Sequence, residues 1–434
     1  MRLVRRLRLS GLLIPLACTT AAVAQEPAFD ASQFEKKPFE LGGYLEFKQE
    51  DFALNPSGAF YKLGDVGATG RDSLDRSTGT LQLAGKLRHG IGTFDFRTSS
   101  SLQRDQLTHD HANTLFEAAY SLRPDPHFTV EAGKRALRWG KGYAWNPIGF
   151  VERPKDPNDP NVAREGLWMA DADIIFNPGG SLQTVAFTPV LLPVSSRVNG
   201  DFGARDHLNP AAKLYLLYRD VDIDFAWQGK GSRAARFGMD FSANLVSNLE
   251  IHGEWARIGP SPQPVTDAAG QVTTRVASAT SLLFGLRYLT ARDTTYIAEY
   301  FRNGSGYSDD DLRQFYGLVD TAFAQAQQGG GALLLQKART LGQGGYGRPN
   351  PGTDYLYLRA QQKDALGIVY FQPALTAMVN LRDGSWQMTP ELQYTGINNL
   401  ELRLRLFVLH GDSESDFGEK QNTRKLEFYA RYDF

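Results

Sequence analysis

The chain has 434 residues, and its 47 lysine and arginine residues nearly balance its 48 aspartate and glutamate residues. This balance excludes the strongly basic surface that nucleic-acid-binding proteins use, so we expect no nucleic acid partner. The mean hydropathy is −0.36, and no stretch after the N-terminal segment approaches the about 18 consecutive apolar residues of a membrane-spanning helix. A helical membrane protein is therefore excluded. A membrane barrel is compatible with these values, because only alternate residues of its strands are apolar.

The first 24 residues have the features of a secretory signal peptide. Several arginine residues precede a short apolar run at 11–17, and Ala22-Val23-Ala24 resembles a cleavage site. We expect residues 1–24 to be removed, residues 25–40 to form a short periplasmic lead and residues 41–434 to form one domain. Cys18, the only cysteine, falls within the expected signal peptide. The mature chain should then contain neither disulfides nor thiolate metal sites.

From residue 41 onward, segments of about ten residues with alternating polar and apolar side chains recur to the end of the chain. We predict strands at 41–50, 77–89, 92–104, 113–122, 127–137, 166–176, 181–190, 211–219, 221–229, 235–246, 248–258, 277–290, 292–303, 362–372, 375–383, 386–396, 400–410 and 424–434. Tight turns alternate with longer connections, the longer ones at 51–76, 105–112, 138–165, 191–210, 230–234, 259–276, 304–361 and 411–423. This order predicts an all-β, antiparallel, up-and-down transmembrane barrel of about 18 strands (16–18), with its short turns at the periplasmic end.

The last predicted strand alternates without exception. Apolar side chains occupy one face and polar or charged side chains the other, the apolar ones being Leu426, Phe428, Ala430, Tyr432 and Phe434. An alternating final strand that ends in Phe resembles the closing strand of Gram-negative outer-membrane β-barrels. The architecture of the chain resembles substrate-selective porins and, more loosely, polysaccharide-export barrels. The resemblance implies an outer-membrane location, contacts with lipid and lipopolysaccharide, and recognition of the strand ending in Phe434 by the barrel-assembly machinery.

A helical insertion interrupts the strand pattern within 304–361. Ser308 followed by three aspartates is a typical helix start, because a serine caps the first turn and acids favour the helix N-terminus. Apolar residues then recur at helical spacing from Leu312 to Ala326, and three glycines at 329–331 end the pattern. The insertion is either an outside loop packed on its neighbours or a lid over the pore mouth.

The connection at 138–165 has an unusual composition. It carries four large aromatic residues, and this much apolar area should pack against the protein rather than stay in water. Porins are similar in folding their third outside loop into the lumen as a constriction. That resemblance implies charged groups at a constriction, and aromatic anchors that include Tyr143 and Trp145; the charged candidates are Arg138, Lys141, Arg153 and Lys155. The alternative is a loop packed on the barrel rim.

The same connection contains an Asp/Asn/Pro run at 156–161. Such a run could hold calcium but is more typical of turns, so we assign no metal there.

The predicted inward charges are unevenly distributed. Acidic candidates lie on the middle strands and include Asp171, Asp173, Asp222, Asp224 and Asp240. Basic candidates lie on the first and last strands and include Arg97, Arg403, Arg405 and Arg431. In a closed barrel these two groups would face each other and orient polar solutes, because rings of charge set ion preference. The alternative is an ordinary solvated inner wall, on which these charges form only local salt bridges.

The sequence shows no catalytic motif, and it implies no cofactor. We therefore interpret the chain as a non-enzymatic, porin-like channel for passive diffusion of small polar or charged solutes. Two alternatives remain: a non-conducting barrel whose surface loops bind a ligand or partner, and an export or lipid-handling barrel that serves a periplasmic machine.

Overall fold

The computed structural model describes residues 37–434, which form an antiparallel sheet of 18 strands. The strands are β1 (Phe39–Leu54), β2 (Ser73–His89), β3 (Gly92–Asp105), β4 (His109–Asp125), β5 (Phe128–Arg135), β6 (Leu167–Phe176), β7 (Leu182–Val194), β8 (His207–Tyr218), β9 (Val221–Gln228), β10 (Arg236–Val246), β11 (Leu249–Thr266), β12 (Val272–Leu289), β13 (Thr294–Arg302), β14 (Asp354–Gln362), β15 (Phe371–Asn380), β16 (Trp386–Ile397), β17 (Leu400–His410) and β18 (Asn422–Asp433). The predicted strand number is confirmed. The expected signal peptide and residues 25–36 of the expected lead lie outside the described residues.

The sheet closes on itself because the first strand has a partner on each side. β1 pairs with β2 along one edge and with β18 along the other. At the seam, Gly43 and Phe434 exchange two backbone hydrogen bonds, each 3.0 Å long from nitrogen to oxygen. A closed barrel leaves no strand edge unpaired, which is the condition for strands to cross a bilayer.

Connections at one end of the barrel are turns of two to eight residues, whereas the other end carries every connection longer than eight residues. Loops 1 to 9 are residues 55–72, 106–108, 136–166, 195–206, 229–235, 267–271, 303–353, 381–385 and 411–421. Both ends of the described barrel, Phe39 and Phe434, lie at the short-turn end. The predicted alternation and its phase are therefore present in the fold.

The predicted position of strand fourteen is wrong. β14 ends at Gln362, where the prediction began, and residues 363–370 form a turn in which Asp364 and Leu366 have positive φ. The apolar side chains of this turn, Ile368 to Tyr370, are about half exposed and resembled a strand in the sequence. The prediction also placed a loop at 259–276, but β11 and β12 continue as a hairpin as far as Thr266 and Val272.

The two faces of the strands differ as the alternation predicts. On β18 the outward Leu426 and Phe428 are 41% and 40% exposed, whereas the inward Glu427 between them is 2% exposed. Exposed leucine, phenylalanine and tryptophan side chains recur on the outward face around the barrel. An apolar outer belt over a polar interior fits a barrel whose outside faces lipid.

Helices occur in loops 1 and 7. Loop 1 contains α1 (Ala59–Leu63), and loop 7 contains α2 (Asp309–Gln327) and α3 (Ala332–Gly342). Ser308 and Asp311 form a reciprocal capping box at the start of α2, as the sequence pattern indicates. Stacked rings of Phe315, Tyr346 and Tyr307 hold loop 7 together, and Phe315 also contacts α1 through Phe60.

The apolar stripe of the insertion thus packs on neighbouring loops, as the first of the two alternatives expected.

None of the helices in the described residues is long and apolar enough to cross a membrane.

Lysine substitutions at two adjacent positions of β10 test the assignment of faces. Phe241 lies outward between Ile223 and Gly253, and Ser242 lies inward between Asp222 and His252. Phe241→Lys should lower the free energy of unfolding by about 2–4 kcal/mol, because it places an ammonium group in lipid. Ser242→Lys should leave it nearly unchanged. Urea unfolding of the two variants in lipid vesicles measures the difference. Equal stability would contradict the assignment of faces, and the opposite order would reverse it.

Candidate functional site

Loop 3 (residues 136–166) folds into the barrel. Trp139, Ile148 and Phe150 are nearly inaccessible to solvent and pack against inward side chains of strands β6 to β11. Small residues on the wall, including Ala226 and Ala256, leave room for these rings. The apolar content of loop 3 is thus buried against the inner wall, as the porin resemblance implies.

Two glutamates of the wall bind the backbone of loop 3. Glu254 on β11 accepts hydrogen bonds from the backbone N–H groups of Gly142 (2.7 Å) and Ile148 (3.1 Å). Glu299 on β13 accepts them from Tyr143 and from Ala144 (2.8 Å). We call Glu254 and Glu299 the carboxylate clamp. These bonds satisfy four backbone donors that would otherwise be buried without partners.

The carboxylate clamp is itself supported by polar neighbours. Nε2 of the buried His252 lies 2.8 Å from Glu299 Oε1. Gly140 adopts a positive φ of 93°, and a Cβ there would lie 2.6 Å from Glu254 Oε1. A glycine is therefore required where the chain passes the carboxylate.

Aromatic packing fixes the middle of loop 3. The Trp145 ring stacks on Phe301 at 5.0 Å and meets the Tyr357 ring edge-on at 6.0 Å. Its indole Nε1 donates to Asn350 Oδ1 of loop 7 (3.1 Å), and Tyr143 also packs on Tyr357. Tyr143 and Trp145 thus act as the anchors that the sequence suggested.

The tip of loop 3 reaches β16 and β17. We call residues 156–162 the hook, because two consecutive turns bend the chain there: Asp159 N–H donates to Asp156 O, and Val162 N–H to Asp159 O. Gln387 of β16 donates to the Asn158 side chain (2.5 Å). Asp159 forms ion pairs with Arg403 (3.3 Å) and Arg405 (3.2 Å) of β17.

The hook separates two cavities, and Val162 lines both of them. The inner cavity, toward the short-turn end, has a volume of about 350 Å³. The outer cavity has a volume of about 610 Å³ and is also lined by residues of loops 1, 7 and 9. Loop 3 therefore narrows the space inside the barrel at a defined level.

Most of the predicted acidic residues form local ion pairs or hydrogen bonds and do not line an open, solvent-filled pore wall. Asp171 pairs with Arg135 at 2.6 Å, and Asp173 accepts from Thr188 at 2.6 Å. Asp222 accepts from Tyr215 Oη, and Asp224 pairs with Lys141 (3.4 Å) and Lys213 (3.6 Å). Asp240 lies opposite Asp224 in the strand register, and its buried oxygens have no hydrogen-bond partner among the described residues. Asp171, Asp224 and Asp240 are each at most 5% exposed, so they add little to the field in the open lumen.

The predicted basic residues fall into two groups. Arg97, Arg138, Lys141 and Lys155 line the inner cavity, and Arg405 lines the outer one. Arg153 instead pairs with Glu165 and Asp201 at the base of loop 3. Arg431 pairs with Asp433 and stacks on Tyr44. The structure thus brings four of the predicted basic residues together at the inner cavity, whereas Arg403, Arg153 and Arg431 line neither cavity.

Two charged groups of loop 3 are shifted by burial. Desolvation lowers the pKa of Lys155, although Glu254 nearby favours its charged form. Desolvation raises the pKa of Glu152, although Arg164 (2.6 Å) opposes the shift. Both groups contact loop 3 itself, because Lys155 donates to Gly142 O and Glu152 accepts from Trp139 N–H. Both groups therefore help to fix the shape of the loop.

Several important residues were not among the predicted site residues. Glu254 and Glu299 bear most of the hydrogen bonding to loop 3, and Asp159 and Gln387 hold its tip. The alternation of the strands marks the two glutamates as inward-facing, but nothing local marks them as backbone acceptors. The Asp/Asn/Pro run of the hook indicated a turn without indicating which wall it would meet.

The chain has been compared with family models, curated proteins and solved structures. No family model matches, and no curated protein matches. Among solved structures, OccK5 (OpdH) of Pseudomonas aeruginosa shares 13% identity, with 91% of this chain and 98% of that chain covered and a TM-score of 0.51. OpdQ of the same organism shares 10% identity, with 92% and 99% covered and a TM-score of 0.52.

A third similar structure, OccK7 (OpdD) of Pseudomonas aeruginosa, shares 12% identity over 91% of this chain and 98% of that chain, with a TM-score of 0.50. These neighbours are outer-membrane porins. The chain has the fold of an outer-membrane porin. At this level of identity the likeness concerns the fold alone.

Glutamine substitutions at the carboxylate clamp test its role. In each glutamate both oxygens accept a backbone N–H, so an amide would place its own N–H₂ against one donor. Glu254→Gln with Glu299→Gln should therefore loosen loop 3 by about 1.4 kcal/mol or more, and trypsin should cut the loop about tenfold faster. Glu46→Gln, at a half-buried inward carboxylate of β1 that faces Arg431 across the seam, is the control. Equal protection of loop 3 in all variants would contradict the role of the clamp.

Proposed function

We propose that the protein is a channel in the outer membrane of a Gram-negative bacterium, through which small polar and charged solutes diffuse passively, with a preference for anions. A closed barrel with an apolar outer belt supports the location. The two polar cavities within the barrel support diffusion. Loop 3 occupies much of the space between them, which favours small solutes over polymers.

The observation that carries the anion preference is the excess of basic over acidic side chains at the inner cavity. Six basic residues line the inner cavity against two acidic ones; the bases are Arg97, Arg138, Lys141, Lys155, Arg164 and Arg287, and the acids are Glu117 and Glu250. The acids of the middle strands lie beneath loop 3 or in local pairs. A low-dielectric wall with basic groups attracts anions and raises their local concentration.

We propose no catalytic role, since the sequence shows no catalytic motif. The alternatives are a non-conducting barrel that binds a surface partner and an export or lipid-handling barrel. Conductance of the purified protein separates the proposed channel from the first. We also propose that lipid and lipopolysaccharide surround the belt, and that the assembly machinery recognises β18 with Phe434.

Ion selectivity in planar bilayers tests the proposal. Arg138 and Arg287 line the inner cavity, and among the residues that the structure describes neither forms a salt bridge. Arg138→Ala with Arg287→Ala should about halve the anion-to-cation permeability ratio obtained from reversal potentials in a salt gradient. Arg205→Ala with Arg313→Ala removes two charges outside both cavities and should leave the ratio unchanged. A wild-type protein that forms no ion-conducting pore would refute the channel.

Peptide tags test the orientation of the barrel. A tag after Gly330, between α2 and α3, should be detected by antibody on intact cells, because loop 7 lies at the long-loop end. A tag after Gly367, in the turn 363–370, should be detected only after the outer membrane is opened. Gly367 has open space around its Cα, so an insertion there should be tolerated. The opposite pattern of accessibility would invert the proposed orientation.

A further inference from the structure

We propose that a groove on the lipid-facing side of β6, β7 and β8 binds an acyl chain of lipid A, the phosphorylated glycolipid of the outer leaflet, and that basic residues of loops 4 and 5 bind its phosphate. This assignment rests on the proposed location and orientation in the outer membrane. It goes further than general contact between the belt and lipid, because it assigns one lipid to one place on the wall.

The groove is an apolar concavity on the outward face, near the long-loop end of the barrel. It has a volume of about 440 Å³, and its lining includes side chains of three strands and of loop 4: Trp168, Ala170, Leu191, Pro193, Val198 and Leu208. The volume falls within the range of about 300–1,000 Å³ that is typical of small-molecule sites. Trp168 is 37% exposed, and tryptophan is enriched at the level where the bilayer meets the headgroups. We call this concavity the lipid groove.

The lipid groove lies where β6 and β7 separate. Their ladder ends at the pair of Ala170 and Leu191, so Trp168 has no partner on β7. The Asn199 side chain of loop 4 takes the place of that partner. It accepts from Trp168 N–H (2.9 Å) and donates to Trp168 O (2.7 Å) and to Pro193 O (2.8 Å). An amide can replace strand pairing because it carries both a donor and an acceptor.

Loop 4 holds the end of the lipid groove in a fixed shape. Asn199 has a positive φ of 53° and is 8% exposed. Ser195 N–H donates to Val198 O (2.8 Å), and Val198 N–H donates to Ser195 Oγ (3.2 Å), so Val198 lies in a closed turn. The lipid groove is thus preformed, and binding of a chain requires little rearrangement.

Apolar burial alone cannot select a lipid at this surface. An acyl chain in the bilayer is already surrounded by other chains, so selection must come from packing and from charge. A concave surface contacts a chain on more sides than a flat wall does, which adds dispersion contacts. The packing term therefore favours an acyl chain in the lipid groove over the same chain elsewhere on the belt.

The loops above the lipid groove carry the basic groups that a phosphorylated lipid would contact. Arg197 directly precedes Val198, Arg205 lies in the same loop, and Lys230 lies in loop 5. All three are exposed, and in the part of the chain that the structure describes none of them forms a salt bridge. Loop 5 is joined to loop 4 by a hydrogen bond from Ala204 N–H to Ser232 O (2.9 Å).

The acids of loop 4 reduce this positive charge only in part. Asp201 forms an ion pair with Arg153, and Asp206 is exposed. Three exposed bases therefore accompany one exposed acid in loops 4 and 5. This excess is complementary to the phosphate of an anionic lipid, because basic residues beside a membrane surface attract such headgroups.

Native mass spectrometry of the full barrel in detergent, with lipid A as the probe, tests the site. Ala170→Phe should fill the lipid groove while the position stays outward and apolar. It should weaken lipid A binding at least about fivefold, because the chain loses its contacts there. Ala377→Phe, the same change at an outward position of β15 between Leu358 and Met388, should leave the affinity unchanged. Equal affinities of Ala170→Phe and the unmodified protein would overturn the proposal.

Charge variants outside the strands keep the test valid if Ala170→Phe fails to fold. Arg197→Gln with Arg205→Gln should also weaken lipid A binding at least about fivefold, the contribution of about one basic residue beside an anionic lipid surface. Arg71→Gln with Arg104→Gln is the matched control, since it removes two exposed bases at the same end of the barrel, on loop 1 and β3. Equal loss of affinity in the two double variants, or no loss in either, would overturn the proposal.

Two other occupants are outcomes of the same experiment. Phosphatidylglycerol should bind at least about fivefold more weakly than lipid A, because it carries a single phosphate; equal binding would overturn the assignment to lipid A. Lipid-free barrels that associate with one another, and that separate in Ala170→Phe, would assign the lipid groove to a second copy instead. No measurement here depends on conductance, so a barrel that carries no current but passes these tests would refute the proposed channel alone.

Discussion

The arrangement inside the barrel depends on two carboxylates that accept hydrogen bonds from peptide groups. A loop that crosses the interior of a barrel leaves the ladder of the sheet, and each of its buried N–H groups then needs another acceptor. Glu254 and Glu299 supply four such acceptors on neighbouring parts of the wall. Once this backbone is fixed, the Trp145 ring has only a narrow range of positions. The two cavities and their charges follow from that placement.

The burial of acidic side chains changes which charges are accessible in the lumen of the barrel. A count of inward residues suggests acidic and basic walls that face each other with similar strength. In the fold, several acidic groups of the middle strands are buried, and most of them pair with lysine, arginine or hydroxyl groups. The basic residues outnumber the acidic ones at the inner cavity, and four of its six bases belong to loop 3 itself. Folding of one loop therefore converts a balanced composition into an interior whose accessible charge is mainly positive.

The sequence predicts the barrel well, because the alternation of every strand responds to lipid on one side and water on the other. It fails at β14, where tyrosine and leucine alternate and both look apolar, and where exposed apolar residues of the next turn mimic a strand. The inward direction of Tyr143 and Trp145 follows from their apolar area. The partners of Asp159 cannot be predicted from the sequence. They lie more than two hundred residues away along the chain, and only the closed barrel brings them near.

The seam between β1 and β18 has a consequence for biogenesis. These strands are the most distant pair in the described chain, yet their hydrogen bonds complete the cylinder. Pairing of such remote segments is slow compared with formation of neighbouring hairpins, because a large loop must close first. Until it happens, both outer strands present unpaired backbone groups that invite association with other chains. The chain is thus most prone to aggregation in the interval before closure. A factor that holds the two free strands together would shorten that interval.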